Sequence, residues 1–232
     1  MSSARNKTIN FPLEEGGEYL SRCILAENYA GEKNATVLGD TFLALKKIEK
    51  NSVDLLIADP PYDLNKDFHG KKFRQMGGEE YAEYTERWIL AVKPLLKETA
   101  SIYVCADWRT SIPLGAVLER HFVLRNRITW QREKGRGAGA NWKNSMEDIY
   151  FATVSDKYTF NLGAVKQRKR VLAPYRENGV PKDWESTESG NFRNTCPSNF
   201  WDDITVPYWS MEENTAHPTQ KPEKLMAKLI LA

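Results

Sequence analysis

Cysteine, histidine and long apolar runs are all scarce in this chain of 232 residues. Its three cysteines (Cys23, Cys105 and Cys196) are far apart and odd in number, which fits neither a disulfide framework nor a zinc-binding spacing. The three histidines are equally scattered, so no metal site is expected. No apolar run approaches the length needed to cross a membrane, and the N-terminus does not resemble a secretion signal. These features favour a protein of the reducing cytoplasm.

Internal repeats and low-complexity tracts are also missing, and 41% hydrophobic with 28% charged residues is typical of a folded globular chain. The net charge is only +2, but it is unevenly distributed. From Arg125 to Lys182, 13 Lys and Arg stand against 5 Asp and Glu, and 13 minus 5 gives a local excess of +8. Such a basic block indicates either a phosphate-contacting surface or an ordinary solvated face, and charge alone does not separate the two.

Short apolar runs alternate with amphipathic stretches, which predicts an α/β sheet. Strands are predicted over residues 35–38, 53–58, 101–106 and 122–130, helices over 42–48, 80–96, 112–120 and 222–231, and a hairpin over 148–154 and 157–161. The polar residues 63–79 are predicted to form a long loop, of the kind that often serves as a lid. Ligands of α/β sheets bind beyond the carboxyl ends of the strands. Asp40 and Asp59 each follow a predicted strand and are therefore expected to face one crevice.

The strongest motif is Asp59-Pro60-Pro61-Tyr62, directly after the apolar run 53–58. A base amine is a poor nucleophile because its lone pair is delocalised into the ring, and two acceptors aimed at its N–H groups can localise that pair. The Asp59 carboxylate can be one acceptor and the Pro60 carbonyl the other, held in place by the two fixed proline φ angles. Tyr62 offers a face for stacking a flipped base. The alternative, a Pro-Pro turn that merely ends a strand, explains less of the motif.

Two segments together carry a resemblance to a known family. Residues 37–40 and 51–62, Val-Leu-Gly-Asp and Asn-Ser-Val-Asp-Leu-Leu-Ile-Ala-Asp-Pro-Pro-Tyr, resemble the DNA adenine methyltransferases of restriction–modification systems. Residues 217–222, His-Pro-Thr-Gln-Lys-Pro, resemble the same family's segment before its cofactor loop. The order of the two motifs is that of the β class. Met146-Glu147 departs from the pattern, since relatives often carry His-Glu there.

The resemblance implies roles for residues at both motifs and in the basic block. Asp59, Pro60, Pro61 and Tyr62 would be catalytic, with Asp59 also near the cofactor S-adenosylmethionine. Asp40 would lie near the cofactor's adenosine, and His217, Pro218 and Thr219, at a helix entrance, near its methionine end, although simple capping by Thr219 would also explain that segment. The predicted DNA contacts are Lys134, Arg136, Lys143, Lys166, Arg168, Lys169 and Arg170.

The resemblance further implies a Rossmann-like methyltransferase sheet with helices on both faces and an irregular DNA-recognition insertion. The predicted division is an N-terminal extension (1–34), a catalytic α/β core (35–162), a target-recognition region (163–216) and a helix leading towards the cofactor-binding half (217–232). The family's Gly-rich cofactor loop does not follow within these residues. The sheet is therefore expected to be incomplete at its C-terminal side, with a second chain or a further C-terminal segment completing it.

The implied activity is methyl transfer from S-adenosylmethionine to N6 of adenine in double-stranded DNA, with base flipping. Two alternatives remain. Cytosine N4 methylation is the nearer one, although its enzymes more often have Ser at the position of Asp59. The other is a catalytically incomplete DNA-recognition subunit of a split methyltransferase.

Overall fold

The structure is a computed structural model that describes residues 5–10, 12–68, 71–132, 139–172, 175–217 and 219–232. Its helices are α1 Leu13–Ser21, α2 Thr41–Leu45, α3 Gly78–Val92, α4 Ser111–His121, α5 Leu162–Val165 and α6 Glu223–Leu231, with one 3-10 turn at Lys93–Leu95. Its strands are β1 Ile24–Leu25, β2 Val37–Leu38, β3 Val53–Ala58, β4 Lys66–Phe68, β5 Lys71–Phe73, β6 Leu96–Ala106, β7 Val123–Gln131, β8 Met146–Thr153, β9 Gln167–Arg170, β10 Arg176–Glu177, β11 Val180–Pro181, β12 Glu185–Thr187, β13 Gly190–Thr195 and β14 Phe200–Trp201. Within the described ranges, no helix is both long and apolar enough to cross a lipid bilayer.

A five-stranded mixed sheet in the order β14-β7-β8-β6-β3 forms the centre of the fold. β3 is parallel to β6, and β14 is parallel to β7, while β8 runs antiparallel to both of its neighbours, β6 and β7. The carboxyl ends of β3, β6 and β7 therefore meet the amino end of β8 at one edge of the sheet. Residues that follow three separate strands, together with the first residues of β8, are thus brought to one place.

Helices cover both faces of this sheet, as predicted. On one face, α3 and α4 pack Ile89, Leu114 and Leu118 against Ile102 and Val104 of β6. On the other face, α6 packs Leu225 and Leu229 against a cluster that includes Tyr103, Cys105, Ile149, Trp130 and Trp201. Alternate residues of β6 and β8 enter opposite clusters, because successive side chains of a strand point to opposite faces.

Several predicted elements differ from the structure. Residues 157–161 form no strand, since β8 already has a hydrogen-bonded neighbour on each side. The segment 63–79, predicted as a loop, contains the β4–β5 hairpin, and its two ends are joined where the buried Asp63 carboxylate accepts a hydrogen bond from Gly77 N at 2.9 Å. The insertion predicted as irregular contains a three-stranded antiparallel sheet, β12-β13-β9.

The strand before Asp40 does not belong to the central sheet. β2 pairs with β1 in a separate two-stranded parallel sheet. Asp40 and Asp59 both follow strands, as predicted, but these strands belong to different sheets, and the crevice that the two residues are expected to share remains a prediction. Asp40 instead caps α2, where its Oδ1 accepts a hydrogen bond from Phe42 N at 2.8 Å.

Candidate active site

Asp59 and Tyr62 lie at the carboxyl end of β3 and are close to each other. The hydroxyl of Tyr62 is 3.2 Å from Asp59 Oδ1 and 3.1 Å from Glu147 Oε2, so its single proton can be donated to either carboxylate. Burial, with the nearby carboxylates of Glu147 and Asp59, raises the pKa of Tyr62 far above its ordinary value, so the phenol stays neutral. Among the described residues, no donor is bonded to the Pro60 carbonyl.

Lys221 reaches this pair from the segment before α6. Its Nζ donates to both carboxylate oxygens of Asp59, at 3.0 and 2.9 Å, and lies 3.3 Å from Glu147 Oε2. The same Nζ is 5.3 Å from the centre of the Tyr62 ring. Its side chain is only 8% exposed, whereas that of Asp59 is 38% exposed. One buried ammonium therefore joins residues from both sequence motifs.

Glu147 enters the site because β8 runs antiparallel to its neighbours, which places the amino end of β8 beside the end of β3. Its side chain is 5% exposed, and its second oxygen forms an ion pair with Arg132, which follows β7. The next residue, Asp148, points to the opposite face, where it accepts hydrogen bonds from Ser111 Oγ at 2.7 Å and Thr129 Oγ1 at 2.9 Å. Of two adjacent acids, Glu147 thus faces the candidate site and Asp148 holds the scaffold together.

The charges of the site largely compensate one another. Burial alone would lower the pKa of Lys221, but the carboxylates of Glu147 and Asp59 outweigh it and raise that pKa above its ordinary value. Lys221 is therefore a cation at neutral pH. Burial raises the pKa of the neighbouring Cys105 thiol to about 12, so this thiol is neutral and not a nucleophile.

Comparison with known proteins places the sequence that forms this site in a family. A family model described as DNA methylase, of the N6/N4 methyltransferase type, matches residues 53–232. This match includes the Asp59–Tyr62 turn, Glu147 and Lys221. The chain belongs to the N6/N4 DNA methylase family. The resemblance drawn from the two sequence motifs is thereby confirmed.

Individual relatives support the same assignment. The chain is 30% identical over 199 residues to the type II methyltransferase M.HpaI of Haemophilus parainfluenzae, over 84% of this chain and 58% of that protein. It is 29% identical over 211 residues to the DNA adenine methyltransferase YhdJ of Escherichia coli, over 88% of this chain and 68% of that one. The chain thus spans about three fifths to two thirds of the length of these two proteins.

A solved structure supports the fold. The cytosine-N4-specific PvuII DNA methyltransferase superposes with a TM-score of 0.54, over 87% of this chain and 71% of that one, at 16% identity. The predicted Rossmann-like methyltransferase fold is confirmed, with a mixed central sheet and helices on both of its faces.

The second motif of this N6/N4 DNA methylase contributes differently from the prediction. α6 begins at Glu223, four residues after Thr219, and the Glu223 N–H donates to Glu213 Oε2 at 2.7 Å. The predicted helix 222–231 agrees with α6 to within one residue, but its N-cap is Pro222, so the alternative that Thr219 caps this helix is wrong. Instead, Thr219 N donates to His217 Nδ1 at 3.4 Å in a local turn. Their cofactor-binding role remains a prediction, and Pro218 lies outside the described residues.

Lys221 and Glu147 are the two site residues that the sequence prediction missed. Both lie inside segments that the sequence motifs mark, Lys221 in His-Pro-Thr-Gln-Lys-Pro and Glu147 beside the departure at Met146. A buried lysine needs a counter-charge, and Asp59 is an acid that directly follows a predicted strand. That argument could have suggested the Lys221–Asp59 pair, but only the sheet order reveals Glu147.

The predicted DNA contacts separate into two groups. Lys143 lies in the exposed segment before β8, while Lys134 and Arg136 lie outside the described residues. The remaining four, Lys166, Arg168, Lys169 and Arg170, occupy or precede the exposed strand β9 of the three-stranded sheet. Arg168 forms an ion pair with Glu185 and its guanidinium lies 5.0 Å from the centre of the Phe192 ring.

Proposed function

We propose that this protein is a site-specific DNA methyltransferase that transfers a methyl group from S-adenosylmethionine to N6 of adenine in double-stranded DNA. The observation that carries the proposal is the turn after β3, where Asp59 and Tyr62 lie within hydrogen-bonding distance at the sheet edge used by ligands in α/β folds. Membership of the N6/N4 DNA methylase family supports it, and so does the likeness to type II methyltransferases such as M.HpaI.

The chain's own contribution is to hold and polarise the base amine. The Asp59 carboxylate accepts one N–H of the amine and the Pro60 carbonyl accepts the other, which localises the nitrogen lone pair outside the ring. The ring of Tyr62 stacks on the base once it has left the duplex. After transfer the nitrogen carries one proton too many, and Asp59 is the base within reach of it. Orientation and electrostatics then account for the rate enhancement, with no covalent enzyme intermediate.

The chemistry of the predicted donor set fits S-adenosylmethionine. When bound, this molecule supplies an electrophilic methyl group on a sulfonium sulfur, which becomes a neutral thioether as the methyl group leaves. The half-exposed Asp59 carboxylate suits an ammonium group, and Asp40 suits ribose hydroxyls. His217, Pro218 and Thr219 are the residues proposed for its carboxylate end. This assignment follows the resemblance.

Adenine is proposed over cytosine because enzymes that methylate cytosine N4 more often have Ser at the position of Asp59. In addition, YhdJ, which is 29% identical to this chain, is named a DNA adenine methyltransferase. The PvuII enzyme is cytosine-N4-specific, but at 16% identity its likeness speaks for the fold alone. Methylation of cytosine N4, or DNA binding without methylation, are the outcomes that would replace the proposal.

DNA binding is proposed for the basic residues Lys134, Arg136, Lys143, Lys166, Arg168, Lys169 and Arg170. Those of them that the structure describes are exposed, and they lie in the segment before β8 and in or directly before β9. Such side chains contact phosphates and position a protein without reading sequence. The region 163–216 is proposed to hold the base-reading elements.

The direct test is to incubate the full protein with duplex DNA and labelled S-adenosylmethionine and to identify the product nucleoside by mass spectrometry. We expect N6-methyladenine from the wild type and none from Asp59→Ala. The matched control is Asp54→Ala, which removes an exposed acid from the same strand, where it pairs with Lys97 at 2.8 Å. Normal activity in Asp59→Ala would refute the catalytic assignment, and N4-methylcytosine would refute the substrate.

A further inference from the structure

The second sequence motif lies in a closed loop, residues 213–223, which we call the motif loop. Its two ends meet where the Glu223 N–H donates to Glu213 Oε2 at 2.7 Å. Compact loops whose ends lie close together are frequently functional. The side chain of Lys221 leaves this loop and bonds to Asp59, so the motif loop lies beside the candidate active site.

Gln220 bonds across the motif loop with both ends of its side-chain amide. Its Oε1 accepts hydrogen bonds from Thr215 N at 2.8 Å and from Thr215 Oγ1 at 2.9 Å, and its Nε2 donates to Glu213 O at 2.5 Å. Thr215 Oγ1 in turn accepts a hydrogen bond from His217 N at 3.2 Å. One partly buried side chain therefore holds together the backbone on both sides of His217.

The N-terminal segment 7–9 binds the start of the motif loop from outside. Ile9 forms an isolated parallel bridge with Thr215, and its N–H donates to Asn214 O at 2.7 Å. Thr8 Oγ1 donates to Asn214 Oδ1 at 2.8 Å, although the two residues are 206 positions apart in the sequence. The motif loop is thus held from within by Gln220 and from outside by the N-terminal segment.

We propose that Gln220 is a positioning residue for the cofactor, and that it and the N-terminal segment 7–9 keep the motif loop in the closed form that S-adenosylmethionine binds. Gln220 acts through the loop, since His217 and Thr219 are the residues proposed for the carboxylate end of the cofactor. A loop that is ordered before binding reduces the entropy lost when the ligand binds. The inference rests on the proposed function for the identity of the ligand, but not for the order of the loop.

Hydrogen exchange of the free protein, followed by mass spectrometry, measures how often the motif loop opens. Gln220→Met keeps the length of the side chain and removes its three hydrogen bonds. One neutral hydrogen bond changes an equilibrium by a factor of roughly 2 to 10. The loss of three should therefore accelerate amide exchange over residues 214–221 by about 10-fold or more. Exchange at the wild-type rate in Gln220→Met would overturn the proposal.

Ile9→Pro tests the N-terminal segment, because proline has no N–H to donate to Asn214. Exchange in the motif loop should rise by roughly 2- to 10-fold, the factor for one hydrogen bond. The matched control is Ile9→Ala, which shortens the same side chain but keeps the N–H, so its exchange should match that of the wild type. Equal exchange in the two variants would show that the N-terminal segment does not hold the loop.

Calorimetric titration with S-adenosylmethionine and steady-state kinetics test the positioning role. Gln220→Met should weaken cofactor binding and raise the KM for the cofactor by about 10-fold, because binding must then close an open loop. At saturating cofactor the loop is closed again, so kcat should stay close to the wild-type value. The matched control is Gln167→Met, the same substitution at a glutamine whose Nε2 donates to Asp203 Oδ2 at 3.2 Å, outside the motif loop. It should change neither the exchange of the loop nor the affinity for the cofactor.

The two measurements together separate the possible outcomes. Faster exchange in Gln220→Met with an unchanged affinity for the cofactor would overturn the positioning role, and so would a weaker affinity without faster exchange. A lower kcat with an unchanged KM would also contradict it. If the wild type binds no S-adenosylmethionine, the proposed function fails, and the exchange measurements alone decide whether Gln220 and the N-terminal segment order the motif loop.

Discussion

Tyr62 combines two properties that substitutions can separate. Its hydroxyl contacts Asp59 and Glu147, and its ring lies under the Lys221 ammonium at the mouth of the proposed base pocket. Tyr62→Phe removes only the hydroxyl. Because a hydrogen bond to a charged group contributes about 1.5–3 kcal/mol, we expect methyl transfer to slow by roughly 10- to 150-fold with DNA affinity unchanged. Single-turnover kinetics and a filter-binding titration measure the two quantities.

Tyr62→Ala removes the ring as well. Stacking of a base on an aromatic side chain is worth about 1–3 kcal/mol, so the flipped state should lose roughly 5- to 150-fold in population. The fluorescence of 2-aminopurine at the target position reports that population. Equal fluorescence with Tyr62→Phe and Tyr62→Ala would show that this ring does not stack on the base.

At the scale of the elements, α4 approaches β8 closely at Gly115. Of the glycines that the structure describes, this one leaves the least room for a side chain. A Cβ on Gly115 would lie 2.6 Å from the Tyr150 hydroxyl, which donates to Ser111 O at 2.8 Å. Gly115→Ala must therefore displace α4 from the sheet or break this buried hydrogen bond. Overpacking of this kind costs about 1–3 kcal/mol, of which the better helix propensity of alanine returns up to about 1 kcal/mol.

Urea denaturation measures this loss of stability. Gly78→Ala in α3 is the matched control, because a Cβ there meets nothing within 4 Å. It should leave the midpoint unchanged or raise it. A Gly115→Ala midpoint as high as that of Gly78→Ala would contradict the close approach of α4 to Tyr150.

The same elements show how far sequence reasoning reaches. β3 is predicted at its observed bounds because a nearly unbroken apolar run closed by an Asp-Pro-Pro turn has few other conformations. The strand prediction for residues 157–161 is wrong, because alternation reveals a strand-like pattern but not whether a neighbour is available for pairing. Arg125, whose guanidinium donates to Ser155 O at 2.9 Å and lies 4.6 Å from the Tyr158 ring, holds this segment by side-chain contacts instead.

The candidate site was predictable only in part, for a related reason. Asp59 to Tyr62 are contiguous, so one motif discloses them. Lys221 and Glu147 are separated from Asp59 by 162 and 88 positions in the sequence and meet it only through sheet order and strand direction. Local sequence patterns do not reveal that β8 lies antiparallel between the parallel strands β6 and β7.

For the molecule as a whole, the net charge is only +2, but the charged groups are unevenly distributed over the structure. The acidic and basic groups of the candidate site nearly cancel, whereas β9 presents three consecutive cations. Successive strand residues point to opposite faces. Gln167 faces Asp203, which pairs with α6, and Lys169 shares that side. Arg168 and Arg170 point to the opposite side of β9, which is the side directed away from the core.

We therefore predict that the double variant Arg168→Ala/Arg170→Ala weakens binding to specific and random duplexes alike. Removing one cation that neutralises a phosphate reduces the slope of log K against log salt concentration by about 0.9, so the slope should fall by nearly 2. The matched control is Lys97→Ala/Lys157→Ala, which removes the same amount of charge. Lys97 lies at the start of β6 and Lys157 follows the end of β8, so both are at the sheet edge opposite Asp59. Its slope should stay at the wild-type value, because these lysines pair with Asp54 and Glu98 far from the proposed base pocket. If both double variants lower the slope equally, the effect is one of net charge. If Lys169→Ala alone lowers it while Arg168→Ala/Arg170→Ala does not, DNA lies against the other face of β9.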